Sequence, residues 1–258
     1  MSSPSPQLFE RILKEEEPAN ETARQERRSG QRFTINPKFP LKAVLSFIGR
    51  DENGAQLSNQ RAGWDWKGRL VNFSELGARM QLGPAVKVRD DETCDLKLSL
   101  ENYELVIPCR TTNLREEPEG VFVGLKHTIT DEATASAYRQ LLDTVALGVT
   151  LKPEFKKTKV DESGYLTEQY TSPHQSRLTV WRYHPEKTVS AFELVLRDCL
   201  VRAAEEHSIE YLAGSNPDEA HRTSGVRLWE IKRLFQWVVP NLASAVPNDV
   251  RTFLQSYA

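Results

Sequence analysis

The sequence predicts an α+β protein: an antiparallel β-barrel finished by one packing helix, followed by a mostly α-helical C-terminal domain. Three observations predict it. "CDLKLSL" alternates strictly, Cys94, Leu96, Leu98 and Leu100 against Asp95, Lys97 and Ser99, which gives a strand one buried and one wet face. Several short strand-like runs follow one another with close turns between them, as in a barrel or sandwich rather than a parallel sheet. From Thr130 the period changes, and Ala137, Tyr138, Leu141, Leu142 and Val145 fall on one helical face.

Taken in order, residues 1–26 read as a flexible tail. Ser and Pro open it, "LFERILKEEE" can make one short helix, and "PANETARQERRSG" has too few large apolar residues to pack. "LKAVLSF" (Leu41 to Phe47) is a strand, and the polar "IGRDENGAQLSNQRAG" after it is a loop. "WDWKGRLVNF" and "GARMQL" are strands on either side of a turn. After "CDLKLSL", "ENY" turns the chain into "ELVIPCRTTNL", and "EEPEG" turns it into "VFVGLKHTI". Pro108 predicts an edge strand or a bulge. Thr130 as N-cap, with Asp131 and Glu132 at the positive helix end, starts the packing helix. Residues 27–149 thus form the first domain.

Residues 150–177 read as a charged linker and 178–258 as the helical domain. There "RLTVWRYHPE" supplies one more strand, and "KTVSAFELVLRDCLVRAAEEHS" carries Val189, Phe192, Val195, Leu196, Cys199, Leu200 and Ala203 on one helical stripe. "SGVRLWEIKRLFQWVVP" is a second helix between Ser224 and Pro240, and "NDVRTFLQSYA" a short third. Trp229 and Trp237 suit a core, or the seam of a homodimer formed through the C-terminal helices, better than a ligand platform.

Composition narrows the function. The 258 residues are 39% hydrophobic and 27% charged, as in an ordinary globular protein, and a net charge of -2 means that any basic site is local. Cys94, Cys109 and Cys199 form neither a disulfide framework nor a metal-ligand spacing, which favours a reducing compartment. "MSSPSPQLFE" lacks a signal-peptide pattern, and no apolar run nears the roughly 18 residues of a membrane span. The expectation is a cytoplasmic protein. His127, His174, His184, His207 and His221 are scattered without metal spacing, so no metal is expected. Cys109 and Cys199 read as core fillers, and Glu205, Glu206 and His207 as a polar helix face. With no phosphate loop, dinucleotide fingerprint or nucleophile–base pair, neither an enzyme nor a cofactor is expected. The C-terminal half mixes its charges without a basic stripe, which argues against nucleic acid.

Two stretches carry chemistry. "QERRSGQRF" and the residue before it crowd Arg24, Arg27, Arg28 and Arg32 together ahead of an apolar run, and Arg28-Ser-Gly-Gln-Arg32 has the form RxxxR, as does the pair Arg24 and Arg28. Downstream, Asn72-Phe-Ser-Glu-Leu-Gly77 has the form [D/N]xSxxG between two strands. The pair of motifs, with "ERR" before the first, "WKG" at Trp66 to Gly68 and "VFVGLKH" around Gly124, resembles the PilZ domain, the bacterial receptor module for cyclic di-GMP. The resemblance covers about residues 27–149 and implies a six-stranded antiparallel barrel of PilZ type with a packing helix. Because the family places its second Arg just before the first barrel strand, it favours Arg28 and Arg32 as the motif. It implies that these two bind guanine edges and phosphate, while Asn72 and Ser74 reach the ligand from the barrel surface. Gly77 would give the turn an unusual backbone angle or let the ligand approach, and Gly124 would border the site. Arg27 would face a second stacked ligand or solvent. After Gly124 this chain has Lys126 and His127 where the family often has a basic residue and then an aromatic.

Elementary chemistry agrees with these assignments. Each guanine presents adjacent O6 and N7 acceptors that an Arg fork matches bidentately, and Arg also grips phosphate and stacks on a purine face. The implied function is a cyclic di-GMP-binding effector in which the ligand draws the arginine segment onto the barrel and switches an interaction with a protein partner of unknown identity. The alternative is a ligand-silent PilZ adaptor that binds its partner through the helical C-terminal domain.

Overall fold

The computed structural model describes residues 31–47, 64–101, 103–154, 160–205 and 207–258. Residues 1–30, on which the expected tail, its expected short helix and Arg24, Arg27, Arg28 and Gly30 fall, and the expected polar loop after Phe47 lie outside these. The chain divides into two units between Leu142 and Asp143.

The first unit carries strands β1 (Phe33–Thr34), β2 (Leu41–Phe47), β3 (Asp65–Ser74), β4 (Gly77–Leu82), β5 (Thr93–Leu100), β6 (Tyr103–Glu117) and β7 (Gly120–His127). Their order is β1-β3-β2-β5-β6-β7-β4, and β4 pairs back onto β3. Six antiparallel strands therefore close into a barrel, the architecture that the PilZ resemblance implies, with β1 added beside β3. Closure leaves the barrel strands no long free edge to protect.

Alternation drives this closure. Cys94, Leu96, Leu98 and Leu100 of β5 are buried and meet Leu45, Phe73, Met80, Ile107 and Val123 in the interior, all at most 1% exposed. Burying each of the larger side chains stabilises the fold by about 1.5–3 kcal/mol.

The strand of Pro108 carries a bulge, one of the two outcomes expected, although Pro108 itself is neither at an edge nor in the bulge. Pro108 lies inside β6, a central strand, opposite Asp95 of β5, and the β6 bulge falls later, between Thr111 and Leu114. The carbonyl of Pro108 accepts from Thr128 N at 2.8 Å, just past the end of β7. The missing Pro N–H thus falls where the partner strand has already ended, so the ladder loses little.

A helix, α1 (Glu132–Val149), follows the barrel. Its cap is Asp131 rather than Thr130: Asp131 Oδ1 accepts from Thr134 N at 2.7 Å.

The second unit overturns the expectation of a mostly helical C-terminal domain. Strands β8 (Lys152–Pro153), β9 (Tyr165–Ser172), β10 (Ser176–Tyr183), β11 (Thr188–Leu196), β12 (Cys199–Ala204), β13 (Glu210–Ala213) and β14 (His221–Arg222) form an antiparallel meander in chain order. The segment expected as one long helix is the hairpin β11–β12, with Leu196 paired to Cys199. Glu205 and His207 follow β12 outside any helix, and β9 occupies the stretch expected as linker. Only α2 (Gly225–Val238), a 3-10 turn (Val239–Asn241) and α3 (Asn248–Gln255) match the expected helices. Ser224 stands at the N-cap of α2 but makes no side-chain capping bond.

Aromatic packing holds the helices to the sheet. Phe192 of β11 stacks on Phe235 of α2 at 5.9 Å and meets Phe253 and Tyr257 edge-on. Trp237 is buried in this core, whereas Trp229 is 41% exposed, with the Arg233 guanidinium over its ring. Among the described residues no helix is long and apolar enough to cross a membrane.

Candidate functional site

The NxSxxG motif builds the hairpin β3–β4. Ser74 pairs with Gly77 across the two-residue loop Glu75-Leu76. Phe73 and Ala78 point into the barrel and are buried, so their neighbours Asn72 and Arg79 point outward. The register then forms a row across four strands: Thr34 of β1, Asn72 of β3, Arg79 of β4 and Gly124 of β7. Arg32, exposed, immediately precedes Phe33, whose partner is Phe73. The end of the arginine segment is thereby delivered beside the strand end that carries Asn72 and Ser74. Arg27 and Arg28 lie outside the described residues.

Each motif residue has a distinct local state. The Asn72 Oδ1 is buried and has no hydrogen-bond partner among the described residues. An unpaired buried polar atom costs about 1–3 kcal/mol, and a ligand donor at that point would remove the cost. Ser74 is buried, and its Oγ donates to the Gly77 carbonyl at 3.2 Å, so its proton closes the turn and its lone pairs remain. Gly77 has no left-handed backbone angle; a Cβ there would strike the Leu125 carbonyl oxygen of β7. Its need for glycine comes from strand packing. At Gly124 a Cβ would stand 2.7 Å from Thr112 Oγ1, in the bulge of β6, so this glycine makes room for the bulge.

Arg79 is the residue that the motifs did not point to. Its guanidinium lies 4.8 Å above the Phe122 ring and 4.0 Å from Glu117, its side chain 37% exposed. The signal was present in "GARMQL", whose alternation turns Arg79 outward two residues after Gly77. On one side of the row Asn72, Arg79 and Gly124 the same face carries Gly77, Lys126 and Arg110, and on the other side Phe122 stands between Gln81 and Arg115. Arg110 pairs with Asp91 at 3.2 Å and Arg115 with Glu117 at 3.1 Å, all largely exposed apart from the 29% of Glu117. Exposed pairs of this kind are worth at most about 1 kcal/mol, so these cations can exchange partners for an anion at little cost. In a chain of net charge -2, this face is a local basic surface.

The turn is supported from below. Tyr138 of α1, 1% exposed, donates its hydroxyl to the Ser74 carbonyl at 2.8 Å. His127 lies edge-on to Tyr138 at 4.6 Å, with Nδ1 3.3 Å from the Glu75 carbonyl. Burial pushes the His127 imidazole down to about 4, so it is neutral near pH 7. A carbonyl can only accept, so Nδ1 carries the proton.

The cysteines have no part in this face. Burial pushes the Cys94 and Cys199 thiols up to about 12 and Cys109 higher still, which keeps all three protonated. Among the described residues no group of three or more His, Cys, Asp or Glu is placed to hold a metal ion.

No protein-family model matches the chain, and no curated protein matches it. Among solved structures, the crystal structure of the Borreliella burgdorferi PlzA protein in complex with c-di-GMP aligns with it at 5% identity. The alignment covers 88% of this chain and 99% of that one with a TM-score of 0.29, a likeness too loose to bear on either fold or ligand here.

Proposed function

We propose that this chain is a cyclic di-GMP receptor and not an enzyme, with the ligand held on the outer barrel face between the arginine segment and the row Asn72–Arg79–Gly124. The observation that carries the reading is the register itself. Pairing of Thr34 with Asn72 and of Asn72 with Arg79 brings the last Arg of RxxxR and the NxSxxG hairpin to the same end of the same face. Phe33 and Phe73, both buried, pair in the core and so fix the two motifs side by side, while Arg32 itself stays exposed and free to serve a ligand.

In this reading Arg28 and Arg32 close over the ligand from the N-terminal side and take guanine edges and phosphate. Asn72 offers its unpaired amide oxygen to a guanine N–H, and the Ser74 lone pairs accept a further donor. Arg79 supplies a second cation for phosphate from the barrel side. Gly77 and Gly124 act by shape, keeping β4, β6 and β7 in register beneath the ligand. Arg27 lies one residue from the motif and reaches a second stacked ligand if one is bound. Binding draws the arginine segment onto the barrel, and that change is the switch offered to a protein partner.

The test is a binding series by calorimetry on purified variants. Arg28→Ala, Arg32→Ala and Asn72→Ala are expected to abolish or sharply weaken cyclic di-GMP binding. Lys67→Ala, on the outer face at the far end of β3 opposite Val44, is expected to bind as wild type. Equal loss in Lys67→Ala, or none in Arg32→Ala, contradicts the site.

A further inference from the structure

Two-residue hairpin loops normally use turns with positive φ, because these match the twist of the flanking strands. Glu75 and Leu76 have none. Something outside the loop must therefore hold its shape, and the hydrogen bonds show what does. The Ser74 carbonyl accepts from the Tyr138 hydroxyl, the Glu75 carbonyl from His127 Nδ1 and the Leu76 carbonyl from His127 N at 3.0 Å. The Gly77 carbonyl accepts from Ser74 Oγ. All four carbonyls of the motif turn are thus hydrogen-bonded, three of them by just two residues outside the turn. Tyr138 is itself fixed by its ring, edge-on to Phe73 at 5.9 Å and to His127.

We propose that Tyr138 and His127 are positioning residues for the ligand turn, so that the first turns of α1 set the affinity of the site. The inference rests on the cyclic di-GMP reading above. Neither residue touches the ligand. Tyr138 and His127 impose the turn that aims Asn72 and Ser74, and a shift of the α1 backbone at Tyr138 moves the Ser74 carbonyl with it. By linkage, ligand bound at the turn favours the helix position that binds it, so α1 senses occupancy of the site.

Two measurements on the full chain test this: calorimetric affinity for cyclic di-GMP, and hydrogen exchange of the amides of residues 74–77 in the free protein. Tyr138→Phe keeps the ring and loses one donor. It is expected to weaken binding about tenfold, the loss an ordinary hydrogen bond carries, and to speed exchange in the turn. His127→Leu is expected to do the same, and His127→Asn, whose amide nitrogen can take the place of Nδ1, to restore both readouts. A role in stability alone would lower the melting temperature of Tyr138→Phe without changing affinity well below it. Wild-type affinity and exchange in both Tyr138→Phe and His127→Leu overturn the inference while the receptor reading stands. A loss in His127→Leu that His127→Asn does not repair overturns the role given to Nδ1. Should His127→Leu not fold, Tyr138→Phe and His127→Asn decide the matter. Absence of binding in the wild-type chain overturns the receptor reading and this inference with it.

Discussion

Gly77→Ala separates two explanations of the motif glycine. If glycine is there only so that the ligand can approach, the free protein gains nothing from it, and the substitution costs affinity alone. The structure says otherwise. A Cβ at Gly77 would strike the carbonyl oxygen of Leu125, a backbone atom of the neighbouring strand, and cannot be relieved by a side-chain rotation. Either β7 or the hairpin end must move, and overpacking of that kind typically costs about 1–3 kcal/mol. For a domain of about 100 residues, 2 kcal/mol corresponds to a fall of roughly 8–16 °C in melting temperature. Gly83→Ala is the internal control. It is the same chemical change one residue beyond the same strand, where a Cβ meets nothing within 4 Å. Its melting temperature is expected to stay within about 2–4 °C of wild type, as for a surface substitution of at most 0.5 kcal/mol. Thermal melts of the free proteins followed by circular dichroism read both. Equal melting temperatures for Gly77→Ala and wild type would refute the strand-packing argument and return the glycine to the ligand.

Further expectations follow from other parts of the molecule. Arg79→Ala should weaken cyclic di-GMP binding by about tenfold or more, as loss of a charge-assisted contact does, with little change in the melting temperature of the free protein; calorimetry beside a melt checks both. In the second unit, Arg182 is buried and ion-paired with Glu168 at 2.9 Å and with Asp249 at the start of α3. Arg182→Ala leaves Glu168 without its cation and should destabilise the unit by about 2–3 kcal/mol by urea titration, below the value for a fully buried pair because Asp249 is half-exposed. The hydrogen bond from Arg182 holds the Asp249 carboxyl below its ordinary value. A folded-state value lower than the unfolded one means stability present above about pH 4 and lost as pH falls through the folded value. Asp249→Asn should remove that part of the acid sensitivity. Phe192→Ala, at the centre of the four-ring cluster, should cost about 3–5 kcal/mol in the same titration.

The barrel was legible because its strands are wet on one side. β2 and β4 coincide with "LKAVLSF" and "GARMQL", and β5 with the run that alternates most strictly. The second unit hid its strands for the opposite reason. In β11, Phe192, Leu194 and Leu196 are buried on one face while Val195 is buried on the other with Leu200 and Leu212, so alternation is blurred. What remains visible is a stripe that also fits a helical period. The hairpins there turn on Gln175, Lys187 and Arg197, each with a left-handed backbone of φ 55–60° and none a glycine or asparagine. Glycine or asparagine is therefore missing from the left-handed turn positions, and Pro173, Pro185 and Asp198 are the only turn signals those hairpins show.

The site divides in the same way. Its motifs are local strings and could be read directly, and so could the outward direction of Asn72. Arg79 belongs to no motif and joins the site through pairing with Asn72 and Gly124. Support of the turn by Tyr138, 64 residues from Ser74, is a tertiary fact with no trace in the periodicity. The bulge that Pro108 predicts is present in its strand, but how the proline itself is accommodated depends on where the neighbouring strand ends, which a single strand does not reveal.

The most direct test of the central claim is calorimetric titration of the full chain with cyclic di-GMP, with GTP and cyclic di-AMP as controls. The account predicts saturable binding of cyclic di-GMP alone, lost in Arg32→Ala, with a stoichiometry that counts one ligand or a stacked pair. No heat of binding at ligand concentrations on the order of 100 µM, or equal binding of cyclic di-AMP, would contradict it.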